Sequence, residues 1–307
     1  MSKPEFWLAL VSVENIGPKK VKLLLNRFGT IEQIFLADIV DIASLPKFNP
    51  LLASRILQAG KDIHKFRHQF EFLKGKEIKL LCLNDADYPD LLKKIPNPPP
   101  VLCKKGSMDL VPDKSVAIVG TRTPTAQGIL TAVKISSEFA SAGFTIVSGL
   151  AKGIDTAAHF GALEANGTTI GVLGCPLWTV YPKENRYLAK RICDNGMLLS
   201  EHPFPAKPTS ANLISRNRII SGLSICVIVI ETDVDGGAIR TVQFAQKQGR
   251  KCYVYNWQKE HSMNSGNRWL IANGAQGISL SELPNLIDRL KKQEVVNSNK
   301  DNQMTLF

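Results

Sequence analysis

The chain has 307 residues, of which 44% are hydrophobic and 21% charged, a composition that excludes wholesale disorder and predicts two or three domains. Thirty-eight Lys and Arg against 27 Asp and Glu give a net charge of +11, which favours a polyanionic partner, nucleic acid before an acidic membrane. No apolar stretch reaches the roughly 20 residues that span a bilayer, and the first residues lack the apolar region of a signal peptide, so we expect a cytoplasmic protein without a membrane partner.

The cysteines point to a reducing compartment. There are 6 of them, and none forms a Cys-x-x-Cys pair. Their spacing fits neither a metal site nor a disulfide framework. We therefore predict free thiols and no bound metal.

Residues 1–75 have the pattern of a basic helical unit, because apolar positions recur at helical spacing between turn signals. The segment 15–20, Asn-Ile-Gly-Pro-Lys-Lys, resembles a helix-hairpin-helix unit of a SAM-like domain. A tight glycine turn between helices points backbone N–H groups at a phosphate, so such a unit can bind a nucleic-acid backbone without reading bases. A helical bundle with a purely structural role is the alternative.

Residues 76–113 form a predicted connector with one short strand over 78–83 and a proline-rich stretch over 96–100. From 114 to 290, apolar runs of strand length alternate with segments of helix length. That alternation is typical of βαβ units and predicts an α/β domain with a parallel sheet covered by helices on both faces. Residues 291–307 are polar and are predicted to be a flexible tail, and the chain shows no strong internal repeat.

Two glycine-containing turns follow the first two strands of this predicted sheet. Gly120 and Arg122 follow the first strand, and Ser148, Gly149 and Lys152 follow the second. The carboxyl ends of parallel strands meet at one edge of a sheet, where ligands bind. Glycine lets an anion approach the backbone, the next helix offers its positive N-terminus, and Arg, Ser and Lys are natural phosphate ligands. These five residues are therefore candidate phosphate-binding residues.

Two further clusters belong to the same predicted edge. Arg216, Asn217 and Arg218 precede the next long apolar run, and Gly236 and Gly237 follow it. Positions two apart on a helix point in different directions, so we expect one arginine, with Arg216 favoured, to face the anion site while the other pairs inside the protein. Together the turns predict a phosphate-binding cleft.

The cleft carries no signature of a cofactor or of catalysis. It lacks the G-x-G-x-x-G of dinucleotide binders and the G-x-x-x-x-G-K-[ST] of P-loops, so neither a nicotinamide cofactor nor ATP is predicted. Asp155 and His159 lie one helical turn apart. We interpret this pair as a structural capping and hydrogen-bond network rather than as a catalytic pair.

In their order along the chain, these motifs resemble those of the DprA/Smf family of DNA-processing proteins. The likeness runs through Val-Gly-Thr-Arg at 119–122, Ser-Gly-Leu-Ala-Lys-Gly-Ile-Asp at 148–155, Arg-Asn-Arg-Ile-Ile at 216–220 and Gly-Asn at 266–267. It implies an extended Rossmann fold that binds single-stranded DNA, forms a homodimer and hands the strand to the RecA recombinase in natural transformation. It implies neither catalytic activity nor a cofactor.

By this likeness the strand-binding pocket would be lined by Arg122, Ser148, Gly149, Lys152, Arg216 and Gly237. Lys207 lies in a loop where the family often has a DNA-contacting lysine. The aromatic residue that the family places to stack on a base is missing, because Leu213 and Ile214 occupy that stretch. Stacking is worth about 1–3 kcal/mol per base, so either the affinity is lower or the stacking group comes from elsewhere. We also expect the C-terminal winged-helix domain of many relatives to be absent.

The chain ends in Gln303-Met304-Thr305-Leu306-Phe307, which resembles the short peptide that binds the sliding clamp of bacterial DNA polymerase III. A glutamine and two large apolar anchors on a polar tether suit a preformed groove. Gln303, Leu306 and Phe307 are therefore candidate clamp-binding residues.

Two alternatives remain open. Nucleoside-monophosphate phosphoribohydrolases share the extended Rossmann fold, and their glycine turn resembles Pro-Gly-Gly-x-Gly-Thr-x-x-Glu. In this chain the stretch 235–244 lacks the proline, the third glycine and the glutamate, and Phe244 stands in the glutamate's place. The other alternative is a sensor that holds a small nucleotide-derived ligand in the same cleft.

Overall fold

The computed structural model describes residues 3–259 and 261–292. Its N-terminal unit consists of the helices α1 (Pro4–Ser12), α2 (Pro18–Phe28), α3 (Ile31–Leu36), α4 (Ile39–Ala43), α5 (Pro50–Lys61) and α6 (Ile63–Gly75). Helices this short are marginal alone, and they are held by packing. Trp7, Leu8, Leu24 and Ile56 are fully buried in the core they share.

Two hairpins of the same design occur in this unit. The turn between α1 and α2 contains Asn15 at φ 65°, and the turn between α4 and α5 contains Lys47 at φ 70°. In each hairpin the next helix begins with a proline, Pro18 or Pro50. The backbone N–H at the first position of a helix has no partner within the helix, so proline, which lacks this group, is tolerated there. The second turn coincides with a turn signal of the sequence at 47–50, and Asn49 stands where the first hairpin has glycine.

The remaining described residues form a sheet whose strands run across it in the order β1-β2-β6-β5-β4-β3-β7-β8-β9. The strands are β1 (Lys79–Cys82), β2 (Val101–Lys105), β3 (Ser115–Val119), β4 (Thr145–Ser148), β5 (Thr169–Leu173), β6 (Met197–Ser200), β7 (Cys226–Val229), β8 (Lys251–Tyr255) and β9 (Gln276–Ile278). From β6 to β9 in this order every neighbouring pair is parallel. The predicted α/β class with a parallel sheet is confirmed.

The other edge of the sheet is antiparallel and comes from the segment predicted as a connector. β1 pairs with β2, and β2 pairs with β6. β2 was not predicted, because it follows a proline-rich stretch and carries Lys104 and Lys105. Lys104 is nevertheless buried; its Nζ donates to the carbonyl oxygen of Asp109 at 2.6 Å, and burial lowers its pKa. The sheet therefore begins before residue 114.

Helices cover both faces of the sheet. They are α7 (Asp90–Lys93), α8 (Ala126–Ser141), α9 (Ile154–Glu164), α10 (Arg186–Asn195), α11 (Ser210–Gly222), α12 (Gly237–Lys247), α13 (Ser265–Ala272) and α14 (283–292). Successive side chains of a strand point to opposite faces of the sheet, so alternate residues of β3 contact the helices on one face or on the other. Val116 and Ile118 pack with α8 and α9, whereas Ala117 and Val119 pack with α11 and α12.

The N-terminal helices share an apolar core with β1 and β2, where Leu80 and Val101 pack with them, and they also contact loops of the sheet domain. Phe72 of α6 meets Trp178 edge-on, with ring centroids 5.2 Å apart, and the side-chain amide of Gln69 donates to the carbonyl oxygen of Pro203. In the stretches 3–259 and 261–292, none of the helices combines the length and the apolar character needed to cross a membrane.

Candidate nucleic-acid interface

The carboxyl ends of β3, β4 and β7 open onto a cleft of about 470 Å³. Its walls are the loops after these strands, one side of α11 from Ser210 to Ile220 and the first turn of α12. The predicted site residues that line it are Gly120, Arg122, Asp155, Arg216, Asn217, Gly236 and Gly237. The fold thus brings together residues from three separate turns, as expected for the carboxyl edge of a parallel sheet.

Gly120 serves the packing of the cleft walls. A side chain at this position would collide with Ile154 and with the carbonyl oxygen of Glu231. The next residue, Thr121, donates its N–H to that carbonyl at 2.7 Å and accepts the N–H of Ile154 at 3.1 Å. Gly120 therefore lets the loops after β3, β4 and β7 approach one another, a packing role in addition to the predicted one of admitting an anion.

The loop after β4 faces inward. Ser148 donates its hydroxyl to the carbonyl oxygen of Ile118 at 2.7 Å. The N–H groups of Gly149 and Ala151 donate to Oδ2 of Asp155 at 3.2 and 3.3 Å. Ser148 and Gly149 were predicted to bind phosphate, but both are buried and neither lines the cleft. The anion held by this glycine loop is the carboxylate of Asp155.

Arg216 is a buried cation without its full set of partners. Its side chain is only 4% exposed, and Nη1 lies 3.9 Å from Oδ2 of Asp155. Nε and Nη1 have no hydrogen-bond partner. Burial lowers the pKa of Arg216, an effect that Asp155 opposes and the charge of Arg122 reinforces. Burial likewise raises the pKa of Asp155, against the attraction of Arg216. Such an under-satisfied guanidinium favours the approach of an anion.

The opposite wall of the cleft adds further positive potential. Arg122 is exposed and forms no ion pair with any carboxylate in the described part of the chain. The helix α12 begins at Gly237 without a side-chain cap on its first turn, so its positive end is free to attract negative charge. Asp233 and Asp235, which come just before α12, also line the cleft. The cleft is therefore suited to phosphate beside Arg122 and Arg216, with acidic groups near the start of α12.

Arg218 points away from the cleft, as the helical spacing predicts. Its Nη1 and Nη2 form a bidentate pair with the carboxylate of Glu201, at 2.9 and 2.6 Å. Arg218 is buried and does not line the cleft. Asn217 does line it, and its Nδ2 donates to the carbonyl oxygen of Gly237 at 3.3 Å. Arg218 thus stabilises α11, while Asn217 ties α11 to the first turn of α12.

The two predicted lysines lie outside the cleft. Lys152 is 57% exposed on the loop after β4 and forms an ion pair with Glu184 at 2.6 Å. Lys207 is exposed in the loop between β6 and α11, where its carbonyl oxygen accepts the side-chain amide of Asn212 at 3.0 Å. Neither side chain lines the cleft as it stands.

His159 is buried on α9 with partners of its own. Its Nδ1 lies 2.7 Å from Oγ1 of Thr169, and that hydroxyl donates its single hydrogen to the carbonyl oxygen of Ile146. Nδ1 must therefore carry the proton, which leaves Nε2 bare, buried and without a partner. Asp155 and His159 thus belong to two separate hydrogen-bond arrangements rather than to the single network predicted.

We expect His159 to stay neutral well below its ordinary titration range. Burial, with a smaller contribution from Arg216, lowers its pKa to about 3, against about 6.5 in the unfolded chain. Between these values the unfolded state binds a proton that the native state does not, so the free energy of unfolding falls as pH drops below about 6.5, by at most about 1.4 kcal/mol per pH unit. An NMR titration should find the ring neutral at about pH 5. A ring that titrates near its unfolded value would contradict this assignment.

One feature of the site was missed by sequence reasoning. Glu231 is fully buried, and its carboxylate accepts the N–H and the hydroxyl of Thr125, the residue that caps α8. The sequence signal for this role was the position of Glu231, an acidic residue directly after a long apolar run. Leu213 and Ile214 line the cleft, and no aromatic side chain of the described residues stands among its lining. In the same residues, no group of three or more His, Cys, Asp or Glu is placed to hold a metal ion.

Comparison with known proteins gives two family matches. A family model described as DNA recombination-mediator protein A matches residues 79–290, and one described as a SAM-like helix-hairpin-helix tandem matches residues 8–62. The chain belongs to the DNA recombination-mediator protein A family. The second match covers both hairpins of the N-terminal unit. The predicted resemblance to DprA/Smf proteins is therefore confirmed.

Relatives in this family carry the names DprA and Smf. The protein Smf of Synechocystis sp. is 36% identical over 307 residues, which cover 96% of this chain and 77% of that protein. The DNA processing protein DprA of Bacillus subtilis is 39% identical over 206 residues, covering 67% and 69%. Several relatives are thus named for DNA processing.

Two solved structures share the fold. DprA of Streptococcus pneumoniae matches with a TM-score of 0.78 and 30% identity, covering 91% of this chain and 95% of that one. DNA processing protein A of Helicobacter pylori matches with a TM-score of 0.63 and 30% identity, covering 71% and 97%. The latter structure was described for its single-stranded DNA binding mode.

Proposed function

We propose that the cleft binds single-stranded DNA through its phosphates. The observation that carries the proposal is the buried guanidinium of Arg216, whose Nε and Nη1 have no hydrogen-bond partner. A phosphate drawn to this charge would come between Arg216 and the exposed Arg122. The Helicobacter pylori relative, whose structure concerns single-stranded DNA binding, supports this choice of anion.

The chemistry of the cleft favours binding without base recognition. Arg122 supplies an adaptable cation, and the first turn of α12 supplies the positive end of a helix. Leu213 and Ile214 offer apolar contact but no hydrogen bonds to base edges. Because phosphate contacts position a strand and base contacts specify it, affinity should depend little on sequence.

We further propose that the protein protects the bound strand and loads the RecA recombinase onto it, in transformation or recombination. The family description, a recombination mediator, supports a role ahead of strand exchange. In this proposal the protein acts in the cytoplasm as a homodimer, as a binding protein and without catalysis. Sedimentation equilibrium at micromolar concentration tests the dimer, and the rate of RecA filament growth on strands coated with a single-strand-binding protein tests loading.

The decisive measurement is fluorescence anisotropy of a labelled oligothymidine across a salt series, beside the matching duplex. We expect the single strand to be preferred and binding to fall steeply with salt. Arg122→Ala should weaken binding by about 1.5–3 kcal/mol, the range for a charged hydrogen bond, and lower the salt slope by about 0.7. Lys251→Ala is the control and should bind normally, because Lys251 lies at the amino end of β8, away from the carboxyl ends that form the cleft.

A different outcome would favour the alternative functions. Failure to bind any oligonucleotide at low salt, together with saturable binding of a mononucleotide that Arg122→Ala abolishes, would replace the DNA proposal. The cleft would then hold a small nucleotide, as in a phosphoribohydrolase-like enzyme or a sensor.

The clamp-binding peptide remains a proposal, since Gln303, Leu306 and Phe307 lie outside the described residues. We propose that these side chains dock in the peptide groove of the sliding clamp. Purified clamp should be retained by the immobilised full chain and released when Leu306 and Phe307 are both replaced by alanine. Equal retention by the doubly substituted chain would refute the assignment.

A further inference from the structure

An exposed basic and aromatic surface lies on the first turns of α10 and the residues just before it. It consists of Lys183, Arg186, Tyr187 and Lys190, which we call the α10 patch. Tyr187 is 75% exposed, whereas Leu188, Ala189 and Ile192 anchor the helix on its inner side. On a helix, residues three and four apart are neighbours, so Lys190 lies beside both Tyr187 and Arg186. The ring is thus not part of the core and is flanked by cations.

The cations of the α10 patch are not used by the protein itself. Lys183, Arg186 and Lys190 are exposed, and they form no ion pair with a carboxylate of the described residues. Glu184, next to Lys183, forms its ion pair with Lys152 at 2.6 Å, and the charge of Lys183 is a smaller cause of its lowered pKa. The patch therefore presents positive charge that is available to a ligand.

The α10 patch is rigidly joined to the wall of the cleft. Asn185 is buried, and its Nδ2 donates to the carbonyl oxygen of Leu150 at 2.8 Å and to the hydroxyl of Thr156 at 2.9 Å. The next residue in that loop, Ala151, lines the cleft, and Lys152 bridges to Glu184. A continuous path thus leads from the cleft across the loop after β4 to α10.

We propose that the α10 patch binds the single strand where it leaves the cleft, with Tyr187 stacking on a base and the three cations contacting phosphates. The inference rests on the proposed function of the cleft. It also supplies what the cleft lacks, since no aromatic side chain of the described residues lines the cleft. Basic side chains around an exposed ring are the usual platform for a strand bound without sequence preference.

The test compares a short oligothymidine of about 4 nucleotides, chosen to occupy the cleft, with one of about 16, chosen to extend past the cleft to the patch. Tyr187→Leu should lower the affinity for the long oligonucleotide about fivefold or more and leave the affinity for the short one unchanged. Tyr187→Phe, which keeps a ring that can stack, should restore binding. Circular dichroism should show both variants folded, because the side chain is exposed.

Charge is tested separately from stacking. Arg186→Gln with Lys190→Gln should lower the salt slope for the long oligonucleotide by about 1.4, or about 0.7 for each phosphate that is no longer neutralised. The matched control is Lys247→Gln with Lys251→Gln, which removes the same charge from exposed positions near the amino end of β8. If both double substitutions lowered the salt slope equally, the effect would come from the lower net charge alone, and the proposal would be wrong.

The remaining outcomes separate this inference from the proposed function. If Arg122→Ala weakens both oligonucleotides while the α10 variants bind both normally, the patch proposal is wrong and the cleft proposal stands. If the α10 variants weaken the binding of both oligonucleotides equally, the patch does not extend the cleft and the inference is wrong. If Arg122→Ala changes the binding of neither oligonucleotide, both proposals are wrong.

Discussion

Replacing Glu201 by glutamine should lower the free energy of unfolding by about 3 kcal/mol. Glu201 holds the buried Arg218 through two short hydrogen bonds, at 2.9 and 2.6 Å. Glutamine keeps the shape but has one acceptor oxygen, and its amide N–H groups face the donors of the guanidinium. The buried cation would therefore lose its counter-charge and one bond. Urea denaturation followed by circular dichroism at neutral pH measures the loss.

An exposed ion pair of the same length provides the control. Glu184 and Lys152 also approach to 2.6 Å, but their side chains are 64% and 57% exposed. Water solvates both groups when they separate, so Glu184→Gln should leave the urea midpoint unchanged. If the two substitutions shifted the midpoint equally, burial would not be what gives the Arg218 pair its strength.

Gly149→Ala should damage both stability and DNA binding. A Cβ at this position would overlap the guanidinium of Arg216, which could yield only by turning away from Asp155 into the cleft that it lines. Displacing Arg216 would leave the carboxylate of Asp155 buried without its cation, a change that lowers stability by about 3 kcal/mol or more. The guanidinium would also lose the fixed position from which it faces the proposed phosphate, so the affinity for oligothymidine should fall about tenfold or more.

Gly237→Ala is the matched control for stability. Gly237 lines the same cleft, but a Cβ there would meet no atom within 4 Å. Its urea midpoint should equal that of the unchanged protein or exceed it slightly, because alanine favours the first turn of α12. A Gly149→Ala protein with an unchanged midpoint would mean that Arg216 is not fixed where the structure places it.

Most of the sheet could be predicted from sequence, because parallel strands buried on both faces appear as short apolar runs. The strands β3 to β8 follow this rule. The two unpredicted strands break it: β2 contains Lys104 and Lys105, and β9 is only three residues long. Strands of these kinds are set by their neighbours in the sheet rather than by their own pattern.

The candidate site was predictable in its position and less so in its details. The carboxyl ends of parallel strands lie at the same end of the sheet. The topology therefore predicts that Gly120, Arg122, Arg216 and Gly237 lie close together. The inward direction of Gly149 could not be predicted in this way. A glycine loop indicates that an anion lies close to the backbone. The pattern does not distinguish a bound ligand from a carboxylate of the protein, which here is that of Asp155.

The antiparallel edge of the sheet has a consequence for how this chain can be divided. β2 covers β6, so a fragment that starts at residue 114 would leave the N–H and C=O groups of β6 open as a template for intermolecular pairing. The family match begins at residue 79, the first residue of β1. In any exchange of N-terminal helices between relatives, the two edge strands must therefore stay with the sheet, and the new helices must fill the apolar core that the present ones share with Leu80 and Val101.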